Sequence, residues 1–365
     1  MIKHLLFLLT LLFIFPALLF SNPADSSKTI NNNGIGKNSS IIVPVAFYQE
    51  ETSVGVGLMG GYYFTRDRVN MVSNIQGMLI YTRKKQVKFS LLPKIYSLNR
   101  KYYLSGHLRL SHYPDKFWGV GSETEDWQEE DFTFREASFL MQLQRHVTPS
   151  FLLGFQAGYE RGEVYEMQTD GAIALENPVG TEPYSMPGIG IVGTWDTRDN
   201  LFFATRGEFL KISALGSHSS FGSTLNNLWV KLDSRIFREI VPEHIVAGRF
   251  LSHLTWGDIP FQKLPSLGGN EVLRGFYQGR YRDQTLFTAI AEYRFPIYWR
   301  FRGAVFANAA NVGPTVKDFN LLATKMSAGA GLRFRVNDAR MHIRFDVGVT
   351  PTGRMAIYFS ANEAF

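Results

Sequence analysis

The chain has 365 residues, no cysteine, and 38 Lys and Arg against 32 Asp and Glu. The absence of cysteine excludes disulfides and a lipid anchor on Cys, so an exported fold must be stabilised by its own packing. The net charge of +6 is spread along the chain in single residues, which argues against a nucleic-acid surface. Such a charge suits either a solvated lumen and rim or contact with anionic lipid head groups.

The first 21 residues follow the plan of a secretory signal peptide. Lys3 and His4 form a basic N-terminal region, an apolar stretch follows, and Ser21 or Ala24 offers a small residue for cleavage. The competing interpretation is a membrane anchor, but the apolar stretch is short and Pro16 interrupts it. We therefore predict that residues 1–21 are a cleaved signal peptide and that the protein is exported.

The next segment, residues 22–40, is polar and contains too little apolar surface to fold, so we predict a flexible periplasmic lead-in. Beyond the signal there is no run of about 18 apolar residues that could cross a bilayer as a helix. From residue 41 to residue 365 the residue composition and pattern do not change, which predicts one β domain.

Strict alternation of apolar and polar residues recurs along this domain, most clearly in residues 340–350. One face carries Met341, Ile343, Phe345, Val347 and Val349, and the other carries Arg340, His342, Arg344, Asp346 and Gly348. Because successive strand side chains point to opposite faces, such a strand suits a sheet between lipid and water. A sandwich core would also produce alternation, but sandwiches rarely need strands of about 10 to 14 residues.

The pattern predicts sixteen strands, an even number as in single-chain bacterial barrels. Their ranges are 41–49, 52–64, 70–82, 85–97, 101–113, 132–146, 150–163, 187–197, 206–216, 223–237, 244–257, 284–296, 301–309, 325–336, 339–350 and 353–362. Short connections alternate with long ones, which is typical of tight periplasmic turns and large outward loops. We predict an all-β fold, a 16-stranded antiparallel transmembrane β-barrel of the outer membrane over residues 41–365.

Several motifs that could indicate an enzymatic or binding site lack the structural context that such a site needs. Two GxGxxG matches, at residues 55–60 and 188–193, open no helix, so strand glycines explain them better than nucleotide binding. The eight His residues form no HExxH pair, and no GxSxG elbow occurs. The acidic run 123–131 is either a solvated loop or a cation collector. We therefore nominate no catalytic residue, no cofactor and no metal site.

The most specific sequence feature is Leu267 to Phe276, which reads Leu-Gly-Gly-Asn-Glu-Val-Leu-Arg-Gly-Phe, with Glu-Tyr-Arg-Phe-Pro at residues 292–296. It resembles the sixth outward loop of the bacterial surface antigen superfamily, the barrels of the BamA and TamA type. That loop carries Val-Arg-Gly-Phe or Val-Arg-Gly-Tyr in the family, and Leu273 replaces the Val here. Further matches in the family's order lie at residues 196–200, 205–207, 329–334, 344–346 and at Phe365.

The resemblance implies a lumen clamp formed by Leu273, Arg274, Gly275 and Phe276. A guanidinium folded back into the lumen needs an anionic or hydrogen-bonding partner, and Glu292 is the candidate. In the family a second acid lies in a Phe-x-Asp-x-Gly stretch of the following strand. Here residues 306–310 read Phe-Ala-Asn-Ala-Ala, which offers the uncharged Asn308 and a clamp that is weaker or rests on Glu292 alone. The alternative is that Arg274 is a solvated loop residue.

The end of the chain resembles the insertion signal that the outer-membrane assembly machinery reads. That signal favours alternate apolar residues and a final aromatic, which here are Ile357, Phe359 and Phe365. Glu363 departs from the pattern. We predict that Ile357, Phe359 and Phe365 take part in recognition of the chain by that machinery.

The resemblance also bears on function. Family members that insert proteins or lipids usually carry periplasmic POTRA modules, and the roughly twenty polar residues before the barrel resemble instead the POTRA-less branch. We expect a non-enzymatic barrel that acts in outer-membrane protein or lipid assembly, secretion or surface interaction, through a seam between first and last strands. Its expected partners are outer-membrane lipid, the assembly machinery and a periplasmic protein. The alternatives are a passive diffusion channel and, more distantly, an outer-membrane enzyme.

Overall fold

The computed structural model describes residues 38–64, 73–97, 101–336, 340–361 and 363–365. These residues form a closed antiparallel barrel of sixteen strands. The strands are β1 Ser39–Gln49, β2 Ser53–Phe64, β3 Ser73–Thr82, β4 Val87–Tyr96, β5 Tyr102–Phe117, β6 Glu130–His146, β7 Phe151–Glu166, β8 Tyr184–Asp196, β9 Gly207–Ser217, β10 Asn227–Val241, β11 His244–Gly257, β12 Thr285–Tyr298, β13 Phe301–Gly313, β14 Lys325–Arg335, β15 His342–Val349 and β16 Met355–Ala361.

Each strand pairs with its neighbours in sequence, and β1 meets β16 to close the ring. The predicted all-β, sixteen-stranded antiparallel barrel is therefore confirmed. The predicted signal peptide and almost all of the predicted lead-in lie outside the described residues. No helix among the residues that the structure describes is long and apolar enough to cross a membrane.

Strand boundaries differ most at β5, β10 and β13, each of which continues four residues past its predicted end. In β5 the prediction stopped before Pro114, yet Pro114 lies opposite Thr133 and the pairing continues to Phe117 opposite Glu130. In β10 the prediction stopped before the charged residues Arg238 and Glu239. These residues still pair with β11, because charged side chains at a strand end can remain in water while the backbone stays hydrogen-bonded.

The barrel is apolar outside and polar inside, as the alternation predicts. On β15, His342, Arg344 and Asp346 are almost completely buried within the barrel, whereas Val349 on the other face is exposed. Large apolar side chains are exposed around the outer wall, for example Leu58, Leu79, Leu143, Phe155, Ile189, Ile191, Ile212, Val305 and Met326. This arrangement leaves the hydrophobic surface facing whatever surrounds the barrel.

The connections differ between the two ends of the barrel. Those after β5, β7, β11 and β13 are long and share one end, which we call the long-loop end. The turns after β10 and β12 share the opposite end and span only residues 242–243 and 299–300. The chain's last residues, 363–365, also lie at this short-turn end.

The longest connection, residues 258–284, joins β11 to β12 and folds back into the barrel; we call it the plug loop. It contains a short hairpin of Ser266–Leu267 with Tyr281–Arg282 and a single helical turn, Gly269–Val272. Its apolar side chains pack on the inner wall in a buried cluster of Leu251, Leu267, Leu273, Leu286, Ala310 and Val312. The plug loop thus fills the lumen against strands β11 to β13.

Candidate functional site: an ion-paired clamp between the plug loop and the barrel wall

Arg274 reaches from the plug loop to two carboxylates of the barrel wall. Its Nη1 lies 2.9 Å from Oε2 of Glu292 on β12 and 2.8 Å from Oδ2 of Asp346 on β15. The guanidinium carbon lies 3.3 Å from the centroid of the Phe306 ring, which adds a cation–π contact. Arg274 is only 1% exposed, and the two carboxylates near its Nη1 balance its buried charge.

The structure corrects the prediction for Asn308. Its side-chain amide donates to the Ser327 hydroxyl at 2.9 Å, and the contacts of Arg274 go to Glu292 and Asp346 instead. The second acid is thus supplied by β15, two strands beyond the one on which it was expected. The clamp consequently has two charged partners rather than one.

The other residues of the motif shape the loop around Arg274. Leu273 is fully buried in the apolar cluster beneath the plug loop, and Phe276 packs against the edge of that cluster. Gly275 has φ +109°, a conformation that L side chains rarely adopt. Its backbone N–H donates to the Tyr358 hydroxyl on β16 at 3.0 Å, so the last strand contacts the plug loop directly.

A second glycine lets the loop approach the wall. A Cβ on Gly348 of β15 would lie 2.7 Å from the backbone carbon of Arg274 and from the backbone nitrogen of Gly275. This distance is shorter than real Cβ contacts, so a larger residue at position 348 would push the loop away. The wall and the loop are therefore matched at the point where the clamp closes.

Arg274 belongs to a closed circuit of buried charges, which we call the ion-pair ring. Its members are Arg274, Glu292, Arg294, Glu363, Arg333 and Asp346, each of which contacts the next. Glu292 lies 2.8 Å from Arg294, and Glu363 lies 3.2 Å from Arg333 and 3.8 Å from Arg294. Because every member has at least two partners of opposite sign, no charge in the ring is buried alone.

The ring also ties down the end of the chain. β16 ends at Ala361, and residues 363–365 turn into the lumen at the short-turn end. Phe365 is 8% exposed, packs near Phe237, and its backbone carbonyl accepts a hydrogen bond from Arg294. Ile357 and Phe359 remain on the strand's outer face, so the three residues predicted to form one insertion signal point in different directions.

The junction between β1 and β16 differs from every other junction of the wall. Among the described residues it is closed by one residue pair, Tyr48 opposite Phe359. On its other side β1 pairs with β2 along its whole length, from Ser39 opposite Tyr63 to Gln49 opposite Ser53. β16 likewise pairs with β15 over its whole length. We call this weakly paired junction the seam.

The acidic run 123–131 holds the outer part of the plug loop. Asp126 contacts Arg280 at 2.9 Å and pairs with Arg354 in the turn between β15 and β16. The hydrogen bond from Arg354, supported by that from Arg280, holds the pKa of Asp126 below its usual range. The run therefore provides partners for basic residues rather than serving only as a solvated loop.

Sequence reasoning missed the ring partners Arg294, Arg333 and Glu363. Arg294 and Arg333 lie within segments matched to the family, but no role was assigned to them. Glu363 was noted only as a departure from the terminal pattern. The signal that could have found them is the set of charges on inward positions of β12, β14 and β15, which must be balanced if the lumen is filled.

The comparisons agree with this architecture. The family model for the Omp85 superfamily domain matches residues 31–365. BamA from Haemophilus ducreyi lacking POTRA domains 1–3 is similar at 12% identity with a TM-score of 0.66, over 90% of this chain and 70% of that one.

CdiB from Acinetobacter baumannii is similar at 10% identity with a TM-score of 0.57, over 89% of this chain and 59% of that one. At these identities the two structures support the fold alone. Among curated protein sequences, none matches. The family model covers nearly the whole chain, and with it the barrel, the plug loop and the clamp: the chain belongs to the Omp85 superfamily.

Proposed function

We propose that this chain is an outer-membrane barrel whose seam opens to pair with an incoming strand, and that it acts in outer-membrane assembly or secretion. The observation that carries the proposal is that a single pair among the described residues, Tyr48 opposite Phe359, closes the barrel. Unpaired backbone groups are unfavourable in hydrocarbon, so the edges of β1 and β16 are templates for strand addition.

The outward apolar band supports a place in a bilayer, with the long-loop end facing out of the cell and the short-turn end facing the periplasm. Export through a cleaved signal peptide at residues 1–21 belongs to the same proposal. Outer-membrane lipid would surround the wall, the assembly machinery would insert it through its terminal strand, and a periplasmic protein would deliver the client.

The plug loop supports a gated barrel rather than a passive diffusion channel. It is anchored by the ion-pair ring inside and by Asp126 outside, and its hairpin fills the lumen beside β11 to β13. Through the Tyr358 hydroxyl and Glu363 the plug loop and the ion-pair ring contact the middle of the last strand and the segment that follows it. A brace of this kind would hold β16 while β1 moves away.

The experiment locks the seam with a disulfide. Because the chain has no cysteine, the double variant Tyr48→Cys with Phe359→Cys can form only the intended bond. We expect cells that depend on the oxidised variant to lose outer-membrane proteins or lipid from their envelope profile, and reduction to restore them.

The matched control joins an ordinary junction, with Val347→Cys on β15 and Ile357→Cys on β16, which lie directly opposite each other. It should crosslink without changing the envelope. An unchanged envelope with a fully locked seam would refute the opening mechanism. Equal damage from both crosslinks would refute it as well, because the effect would then not belong to the seam.

Planar-bilayer recording distinguishes the porin alternative. We expect the wild-type barrel to show little steady conductance and Arg274→Ala to increase it, because the plug loop loses its contact with Glu292 and Asp346. A large steady conductance in the wild type would favour the channel.

A further inference from the structure

A cavity of about 420 Å³ lies in the lumen beneath the plug loop, and we call it the basic chamber. Strands β4 to β6 form one wall, β10 and β11 form the opposite wall, and the plug loop covers it. Its lining contains five side-chain cations, Lys88, Arg109, Lys231, Lys263 and Arg282, against three carboxylates, Glu51, Asp115 and Glu136. The chamber is therefore positive on balance.

The three carboxylates offset only three of the five positive charges, and each of them also contacts the plug loop. Glu136 lies 2.8 Å from Lys263. Glu51 accepts from the backbone N–H of Gln278, and Asp115 accepts from the Tyr277 hydroxyl. All three thus contact groups at the edge of the chamber or in its cover.

Three of the five cations have no ion-pair partner among the described residues. Within the described part of the chain, Arg109 and Lys231 make no hydrogen bond or ion pair with another residue. Lys88 makes a cation–π contact, 5.4 Å from the centroid of the Tyr113 ring, and no hydrogen bond or ion pair among those residues. The Nε of Arg109 is buried without a hydrogen-bond partner, and unlike the arginines of the ion-pair ring Arg109 also has no carboxylate within ion-pair distance among the described residues.

The geometry brings these cations to one space from two sides. Lys88 on β4 lies opposite Ser111 on β5, and Arg109 stands two residues from Ser111 on the same face. Lys231 on β10 lies opposite His253 on β11, and both line the far wall of the same chamber. A ligand between the walls would meet an arginine fork, two ammonium groups and a serine hydroxyl.

We propose that the basic chamber binds a phosphate-bearing anion between Lys88 and Arg109 on one wall and Lys231 on the other. A guanidinium and ammonium groups converging from different directions suit an anion with several charged oxygens, and a phosphate ester or a diphosphate offers these oxygens. The volume is many times the roughly 30 Å³ that a water molecule takes up, so such an anion fits. The inference does not depend on the seam.

The test is calorimetric titration of the purified full chain, in zwitterionic detergent at low salt, with pyrophosphate. We expect saturable one-site binding that weakens about tenfold in Lys231→Met and at least as much in Arg109→Met, because each loses a charge-assisted contact. Lys317→Met removes an exposed loop lysine outside the chamber and should leave the affinity unchanged.

Mixed micelles of short-chain phosphatidylglycerol, with phosphatidylcholine as the control, separate a lipid headgroup from a free phosphate. Binding of either phosphate probe that Lys231→Met weakens supports the chamber and identifies the source. If neither probe binds, or if Lys317→Met weakens binding as much as Lys231→Met, the proposal is overturned. Since Lys231 contacts no partner, this variant should fold even where Arg109→Met does not, and its gel mobility with and without heating verifies the fold.

Discussion

Two regions of the lumen differ in whether their charged side chains are paired and buried. In the ion-pair ring, Arg274, Arg294 and Arg333 are at most 1% exposed, and each contacts carboxylates on both sides. In the basic chamber, Lys231 is exposed to the lumen and forms no ion pair among the described residues, while Asp233 on the same face of β10 is paired with Arg235 and Arg249. Burial follows pairing, because a desolvated charge without a partner is strongly destabilising whereas one in water is not.

This difference in pairing indicates that the ion-pair ring stabilises the fold, whereas the basic chamber can bind a ligand. Charges that satisfy one another hold the plug loop, β15 and the end of the chain in one arrangement. Charged side chains that form no ion pair among the described residues add little to stability, and they remain available to bind a ligand. Substitutions in the two regions should therefore have opposite profiles, with large losses of stability in the ring and small ones in the chamber.

The largest expected effect is that of Asp346→Asn. The substitution keeps the volume but leaves Arg274, Arg333 and Arg344 with one carboxylate fewer. Removing one partner from a buried ion pair typically lowers stability by about 3–5 kcal/mol. Denaturant unfolding in detergent should show a loss of this size, and the plug loop should become sensitive to protease.

Asp318→Asn provides the control for this variant, because Asp318 lies exposed in the loop between β13 and β14. It should unfold like the wild type. Equal midpoints for Asp346→Asn and the wild type would mean that the ring does not stabilise the lumen.

A pH effect is expected at Glu51, in the turn between β1 and β2. Burial raises the pKa of Glu51 to about 7, although its hydrogen bonds with backbone N–H groups, including that of Gln278, oppose the shift. The folded state therefore holds the proton more tightly than the unfolded state. Stability from this group is complete below pH 4.5 and declines by up to about 3 kcal/mol as the pH rises through 7.

The measurement is thermal unfolding of the wild type and of Glu51→Gln from pH 4.5 to pH 8, followed by tryptophan fluorescence. The variant stays neutral, so the difference between the two proteins should change across this window. Parallel curves would show that Glu51 does not titrate between folded and unfolded states in this range.

A smaller loss is expected for Glu363→Gln. Its contacts with Arg333 and Arg294, at 3.2 and 3.8 Å, are longer than those of Asp346, so we expect about 2 kcal/mol. The residues from 363 onward should then leave the lumen and become accessible to carboxypeptidase. Glu182→Gln, on an exposed loop, should leave digestion slow; rapid digestion of the wild type would contradict a docked terminus.

Sequence alone was sufficient for the barrel because alternation is a local property of each strand. The inward direction of Asp346 could be predicted in the same way. Its contact with Arg274 could not, since the two residues are 72 positions apart and meet only through the register of the closed barrel. The inward turn at Glu363 was missed because the alternation was continued past Ala361, where the strand ends.

The basic chamber was equally hidden from sequence. Lys88, Arg109 and Lys231 each look like an ordinary polar position on an alternating strand. Their convergence depends on the curvature of the wall and on the plug loop that covers them, and neither can be read from local pattern. Long-range packing thus determines which inward charges find a partner.

The smallest expected effect, that of Lys231→Met on stability, sharpens the comparison most. Lys231 makes no hydrogen bond or ion pair within the described chain, so its removal should change the free energy of unfolding by no more than about 0.5 kcal/mol. Denaturant unfolding in phosphate-free detergent measures it beside Asp346→Asn. With pyrophosphate present, the wild type should gain stability and the variant should gain less, because a ligand stabilises only the state that binds it. A loss as large as that of Asp346→Asn would instead mean that Lys231 is structural and that the two regions do not differ.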